Sequence, residues 1–263
     1  MPSYDIVDFH THIYPAKIAH KAVDAISQFY SIAMSGKGTS EHLLQEGSKI
    51  GVSRYVVHSV ATTPAQVVSI NDFIARETQA HPEFVGFATL HPGFEDIASE
   101  VDRAIDLGLR GIKVHPDFQE FNIDDDAALK IYQTIQGRLP ILFHMGDKTR
   151  DFSAPRRLRA VLERFPNLVV IGAHFGGYNA WEESKKYLLG QNIYFDTSSS
   201  LFCLSPEEAA QMIHAHGADK MLFGTDYPMW DHEEELARFL ALPLTEEERT
   251  AILAKNARAL LKI

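Results

Sequence analysis

Cysteine is nearly absent: Cys203 is the sole thiol among 263 residues, so no intrachain disulfide can form and nothing demands an oxidising compartment. Basic charge is also short, with 25 Lys and Arg against 35 Asp and Glu and a formal charge of -10. That deficit argues against a broad phosphate-binding surface, and so against nucleic acid as the main partner, while leaving room for a local basic pocket. No apolar run approaches membrane-spanning length. The N-terminus carries Asp5 and Asp8 where a secretory leader needs a basic start and an apolar stretch. The expectation is a cytoplasmic protein, neither exported nor anchored. Low-complexity tracts and an obvious interdomain linker are lacking too, which reads as one domain over residues 1–263. With 45% hydrophobic and 23% charged residues, the chain has the material for a sizeable core.

What is present is a repeated alternation. Short aliphatic or β-branched runs recur at Tyr4 to Phe9, Arg54 to Val60, Phe84 to Leu90, Gly111 to His115, Pro140 to His144, Leu168 to His174, Ile193 to Thr197 and Lys220 to Thr225. Each is followed by a polar turn and a stretch with helical spacing. After the first interval the runs recur at about one βα unit each, which predicts an α/β protein with a closed (β/α)8 TIM barrel. Helix signals agree: Ser205-Pro206-Glu207-Glu208 reads as an N-cap with a first-turn proline, and Thr245 to Glu248 as a capping box. The first interval is longer. It holds an amphipathic stretch, Ala16 to Tyr30, the flexible Ser35-Gly36-Lys37-Gly38-Thr39-Ser40, and a second helix over Glu41 to Lys49. An insertion after strand one lies on the C-terminal rim of a barrel, where it serves either as a substrate lid or as an extra packing helix.

The first run ends in Asp8-Phe9-His10-Thr11-His12. Alternation along a strand puts His10 and His12 on one face, their Cα atoms roughly 6.6 Å apart, so both imidazoles can close on one metal ion. His-x-His alone is a weak signal. Strand five, however, ends at His144, strand six at His174 and strand eight at Asp226, and in a parallel barrel all strand C-termini reach one rim. Strand four adds Lys113 and His115 on a shared face, and the loop after strand five adds Lys148 and Arg150. Arg150 can fork onto a carboxylate. His58 and His91 end strands two and three, as pocket-lining or as hydrogen-bonded structural residues; His20, His42, His81, His214, His216 and His232 fall in helices or surface turns.

As a set, His10-x-His12, His144, Ala173-His174-Phe175-Gly176-Gly177, Tyr194-Phe195-Asp196-Thr197-Ser198 and Phe223-Gly224-Thr225-Asp226-Tyr227-Pro228 resemble the amidohydrolase superfamily. The similar branch is the metal-dependent, amidohydrolase-related one that includes aminocarboxymuconate semialdehyde decarboxylase and resorcylate decarboxylases. The resemblance spans essentially the whole chain. It implies that His10, His12, His144 and Asp226 hold one divalent metal ion, most simply Zn2+, with His174 just outside as an acid, base or polarising group. Such an ion lowers the pKa of a coordinated water towards 7, and Asp226 is placed to relay the proton. Lys113, His115 and Arg150 are the substrate-binding candidates, for a small, anionic molecule. Some superfamily members instead carry a carboxylated lysine, here Lys113, bridging two ions with His174 on the second; the one-metal version with a free amine matches the motifs better. The leading expectation is a hydrolase of a small organic acid, lactone or amide. Decarboxylation or hydration of an unsaturated or aromatic acid is the alternative, and a non-catalytic metabolite-binding barrel the reading of another class. A homodimer is compatible with barrels of this type.

Overall fold

Eight strands pair in sequence order, each with the next, in the computed structural model, which describes residues 4–263. They are β1 (Ile6–His12), β2 (Val52–His58), β3 (Phe84–Thr89), β4 (Gly111–Val114), β5 (Ile141–Phe143), β6 (Val170–Gly172), β7 (Tyr194–Asp196) and β8 (Met221–Leu222), with helices in the intervals. Pairing from β3 through β7 is parallel and steps one residue at a time, for example Lys113 opposite Leu142 and Phe143 opposite Gly172. Phe9 N–H donates to the Phe223 carbonyl at 2.8 Å and His12 N–H to that of Tyr227 at 2.7 Å, which joins the first strand to the chain around and after the last. The architecture is the (β/α)8 barrel that the spacing predicts.

Local chemistry explains the helix limits. Ser205 accepts from Glu208 N–H at 3.2 Å, and Thr245 and Glu248 form the reciprocal capping box that satisfies two first-turn donors. The helix Ile97–Asp106 starts where it does because Asp96 caps it through Ser99 N–H. The predicted insertion helices form at Ala16–Tyr30 and Ser40–Ser48.

Two compact units are present. The first takes in the chain up to Val57, His81–Val85 and Asp196–Ile263; its core includes Ile6, Phe9, Tyr55, Val56, Phe223 and Phe239, all essentially inaccessible. The second comprises His58–Ala80 and Gly86–Phe195, built on Ile112, Val114, Tyr132, Ile141, Phe143 and Val170. Burial of these side chains supplies the driving force, at about 1.5–3 kcal/mol for each large one.

The insertion after β1 is pinned rather than loose. Gly36 N–H donates to the Pro228 carbonyl at 2.9 Å and Ser35 N–H to that of Met229 at 3.3 Å. The Tyr227 hydroxyl accepts from Gly38 N–H at 3.0 Å and meets His42 Nδ1 at 3.0 Å. A Cβ on residue 36 would stand 2.4 Å from the Tyr227 ring, so only glycine permits this approach. These contacts favour the packing reading of the insertion over the lid.

Glu235, in the helix His232–Leu240, is fully buried. Burial pushes its carboxyl up to about 7 despite the bond from Arg238, and the charges of Asp226 and Asp8 add to the rise. The folded state thus binds a proton more tightly than the unfolded chain, so stability falls as pH rises from about 4.5 to about 7, by about 3 kcal/mol in all. Glu235→Gln is therefore expected to gain on the wild type in thermal melts as pH is raised across that window. A melting difference that stays flat from pH 4.5 to 8 would defeat this assignment.

Candidate active site

In the first unit, β1 delivers two histidines and the turn after β8 delivers a carboxylate. His10 Nε2 and His12 Nε2 are 3.3 Å apart; Asp226 Oδ1 lies 3.4 Å from the former and 3.5 Å from the latter. An ion bonded tetrahedrally at about 2.1 Å holds its ligand atoms about 3.4 Å apart. The three atoms therefore form a near-equilateral face that fits such an ion without movement, and all three residues are buried. Their types, two imidazoles and one carboxylate, suit zinc and also suit manganese or iron.

Neighbouring groups select which atoms face that point. His10 Nδ1–H donates to Asp196 Oδ2 at 2.8 Å, so the lone pair of the ring is left on Nε2. Asp196 is itself held, its Oδ1 accepting from Ser198 N–H at 3.1 Å and from the Ser198 hydroxyl at 2.5 Å. Asp226 is held from the other side: the Ser199 hydroxyl donates to Oδ2 at 2.5 Å, leaving Oδ1 toward the histidines. Both Ser199 and Asp226 have left-handed backbones, at φ 45° and 59°. For residues with a Cβ this costs of order 1–3 kcal/mol and concentrates where geometry serves function. Beneath them Asp8, fully buried, accepts from His10 N–H, Thr225 N–H and the Thr225 hydroxyl, tying β1 to the residue before Asp226. Burial and the charge of Asp226 together hold the Tyr14 phenol well above its ordinary value, so it stays a proton-bearing hydroxyl near that carboxylate.

The second unit brings together His144 and His174. His144 Nε2–H donates to the Gly146 carbonyl at 2.9 Å, which leaves the Nδ1 lone pair facing His174 Nε2 at 3.0 Å. His174 and Phe175 are both left-handed, at φ 61° and 53°. Their carbonyls are held by Trp181 Nε1–H at 3.1 Å and the Ser184 hydroxyl at 2.6 Å, which fixes the turn that aims His174.

The substrate-binding candidates meet different fates. Lys113 is fully buried within β4. His115 follows the end of β4 and caps the short helix Pro116–Gln119 by accepting from Phe118 N–H. Its ring is stacked between Phe118 (3.8 Å between centroids) and His144 (3.7 Å), nearly parallel to both. Although His115, Asp117 and His144 lie close enough to suggest a metal cluster, the in-plane lone pairs of two parallel stacked rings do not converge. His115 is a packing plate behind His144. Arg150 turns back to donate to the Asp117 carbonyl at 2.6 Å. Burial pushes the Asp117 carboxyl up to about 6, against a hydrogen bond from Ser153 that lowers it.

Sequence reasoning missed Asp8, Asp196, Ser198 and Ser199. Asp196 ends β7, so the rule that singled out other strand-end ligand types could have found it; the serines carry no such signal. His91 is a turn residue, accepting from Gly93 N–H at 3.0 Å, and His232, expected in a helix or surface turn, is fully buried 3.2 Å from Asp8.

A family model described as amidohydrolase matches residues 7–263. Among solved structures, 5-carboxyvanillate decarboxylase from Sphingomonas paucimobilis superposes with a TM-score of 0.76 at 16% identity, covering 99% of this chain and 100% of that one. A dihydroxybenzoic acid decarboxylase from Polaromonas sp. JS666, with bound manganese and the inhibitor 2-nitroresorcinol, gives 0.77 at 18% identity over 98% and 97% of the two chains. A protein from Pseudomonas putida described as a candidate 2-pyrone-4,6-dicarboxylic acid hydrolase gives 0.67 at 17%, over 98% and 97%. At these identities the likeness is one of fold.

Proposed function

This chain belongs to the amidohydrolase family, and on that premise we propose that it is a metal-dependent decarboxylase of a small aromatic or unsaturated acid. In the first unit, His10, His12 and Asp226 are the residues that would hold the ion. When bound, a divalent ion supplies a positive charge that orients a substrate carboxylate and draws electron density from it.

One observation carries the choice of reaction. Hydrolysis needs a basic group beside the ion to take a proton from water. Asp226, the residue placed for that role, has Oδ1 on the ligand face and Oδ2 in a short bond from Ser199. Both oxygens are thus already engaged, one on the ligand face and the other by the serine hydroxyl. Decarboxylation asks for no such base. The bond between carbon and the carboxyl group breaks, CO2 leaves, the electron pair stays on the unsaturated carbon skeleton, and a proton is added to that carbon. The acid expected from sequence, His174, has its Nε2 3.0 Å from His144 Nδ1 in the second unit. Several solved structures of this fold are described as decarboxylases of substituted benzoic acids, which supports the reading. Hydrolysis, the leading expectation from sequence, has as its support the similarity to the pyrone-dicarboxylate protein and the His144–His174 pair as an alternative base.

The test is turnover of a panel of hydroxybenzoates, unsaturated dicarboxylates and lactones, carboxyl-labelled with 13C, in H2 18O, by protein treated with chelator and then reloaded with Mn2+ or Zn2+. Labelled CO2 that depends on the added ion is expected. Incorporation of 18O into an acid product without CO2 would replace decarboxylation by hydrolysis.

A further inference from the structure

The Ser199 hydroxyl has one proton and two neighbours that can receive it, Asp226 Oδ2 at 2.5 Å and Met229 Sδ at 3.3 Å. It also faces Trp230, whose indole Nε1–H lies 2.8 Å from Ser199 Oγ. An indole nitrogen donates and never accepts. The Trp230 bond therefore occupies an Oγ lone pair and sends the serine proton on towards the carboxylate, the far stronger acceptor. Trp230 is itself fixed: Phe202 stacks on its ring at 4.7 Å and the Arg238 guanidinium sits over it at 5.1 Å. The direction of the chain is thus settled from its outer end, from Trp230 to Ser199 to Asp226.

We propose that Trp230 and Ser199 are positioning residues, a relay that holds Asp226 with Oδ1 toward His10 and His12 and Oδ2 withheld. This rests on the reading of Asp226 as a metal ligand and deepens it, assigning to two residues outside the ligand set the choice of which carboxylate oxygen the ion meets. The left-handed backbone of Ser199 is what brings its short side chain within reach of the carboxylate, and the relay explains why that conformation is kept. Polarisation along the two bonds strengthens the inner one, since a hydroxyl that accepts a hydrogen bond becomes a better donor.

The experiment titrates the ion-free protein with Co2+ alone, reading the visible absorption of the bound ion and its affinity by chelator competition, for the wild type, Ser199→Ala, Trp230→Phe, the double variant and Asp226→Asn. Trp230→Phe leaves an aromatic ring to face Phe202 and Arg238 and removes the N–H together with part of the indole frame. Ser199→Ala is expected to weaken Co2+ binding roughly 10-fold and to shift the absorption bands, as loss of an outer partner of a ligand does. Trp230→Phe is expected to do the same in smaller measure, about 3-fold, and to add nothing in the Ser199→Ala background, because a relay acts only through its middle member. Trp230→Phe with wild-type affinity and spectrum, or with a full additive loss in the double variant, would overturn the relay. If Asp226→Asn leaves affinity and spectrum untouched, the ligand assignment itself fails, an outcome distinct from either.

Discussion

His12→Ala is expected to lower affinity for a divalent ion by at least about 100-fold, beyond the roughly 10- to 100-fold that loss of an outer partner costs. His12 Nε2 supplies one corner of a face whose edges measure 3.3, 3.4 and 3.5 Å. An alanine methyl cannot replace the lone pair, and the remaining two atoms leave an ion with too few ligands to displace its water. Turnover should fall by more than about 1000-fold, because a rate that depends on the ion's charge loses roughly tenfold for each 1.4 kcal/mol of stabilisation removed. The fold should survive in the ion-free protein, since His12 sits at the end of its strand. Melting with excess ion separates the effects: at a thousand times the dissociation constant the wild type gains about 4 kcal/mol, a gain the variant should lack. Binding of one equivalent by His12→Ala with unchanged affinity would remove this residue from the site.

Asp8→Ala is the largest expected stability loss. Asp8 accepts from His10 N–H at 3.2 Å, Thr225 N–H at 3.0 Å and the Thr225 hydroxyl at 2.6 Å, with His232 Nε2 3.2 Å away. Removing the carboxylate strands these donors where no water reaches them, at about 1–3 kcal/mol each, so a total near 4 kcal/mol is expected. For a chain of this size that lowers the melting temperature by about 10 °C. Asp8→Asn keeps one acceptor oxygen and should lose about half as much. Because Thr225 immediately precedes Asp226, both variants should also weaken ion binding. A melting point for Asp8→Ala within about 2 °C of the wild type would show that these bonds contribute little.

Much of this was written locally in the chain. Apolar runs recurring at one βα unit announced all eight strands, and the predicted and observed strands overlap in every case, though β8 shrinks to Met221–Leu222. The caps at Ser205 and Thr245 lie where short-range chemistry puts them. The pairing of His10 with His12 on one face followed from the two-residue period of a strand, since both members sit within three positions of each other. At His115 the same period grouped the residue with Lys113 but said nothing of its partners: it caps the helix that Pro116 opens, and its ring stacks on Phe118 and His144.

Sequence by itself determined the periodicities, the caps, the family pattern and the candidate ligands, because each is a relation among adjacent residues or a residue type at a strand end. Only the tertiary structure decided the partners of those candidates: Asp196 on His10 at a separation of 186 positions, Asp8 on Thr225 at 217, Ser199 on Asp226 and Trp230 on Ser199, and the pinning of the first insertion against the turn after β8. The physical reason is that a hydrogen bond of 2.5–3.2 Å depends on backbone dihedrals and side-chain rotamers at both ends. Nothing in the local pattern around a serine or an aspartate specifies the residue, two hundred positions away, that the closing of the sheet will bring to it.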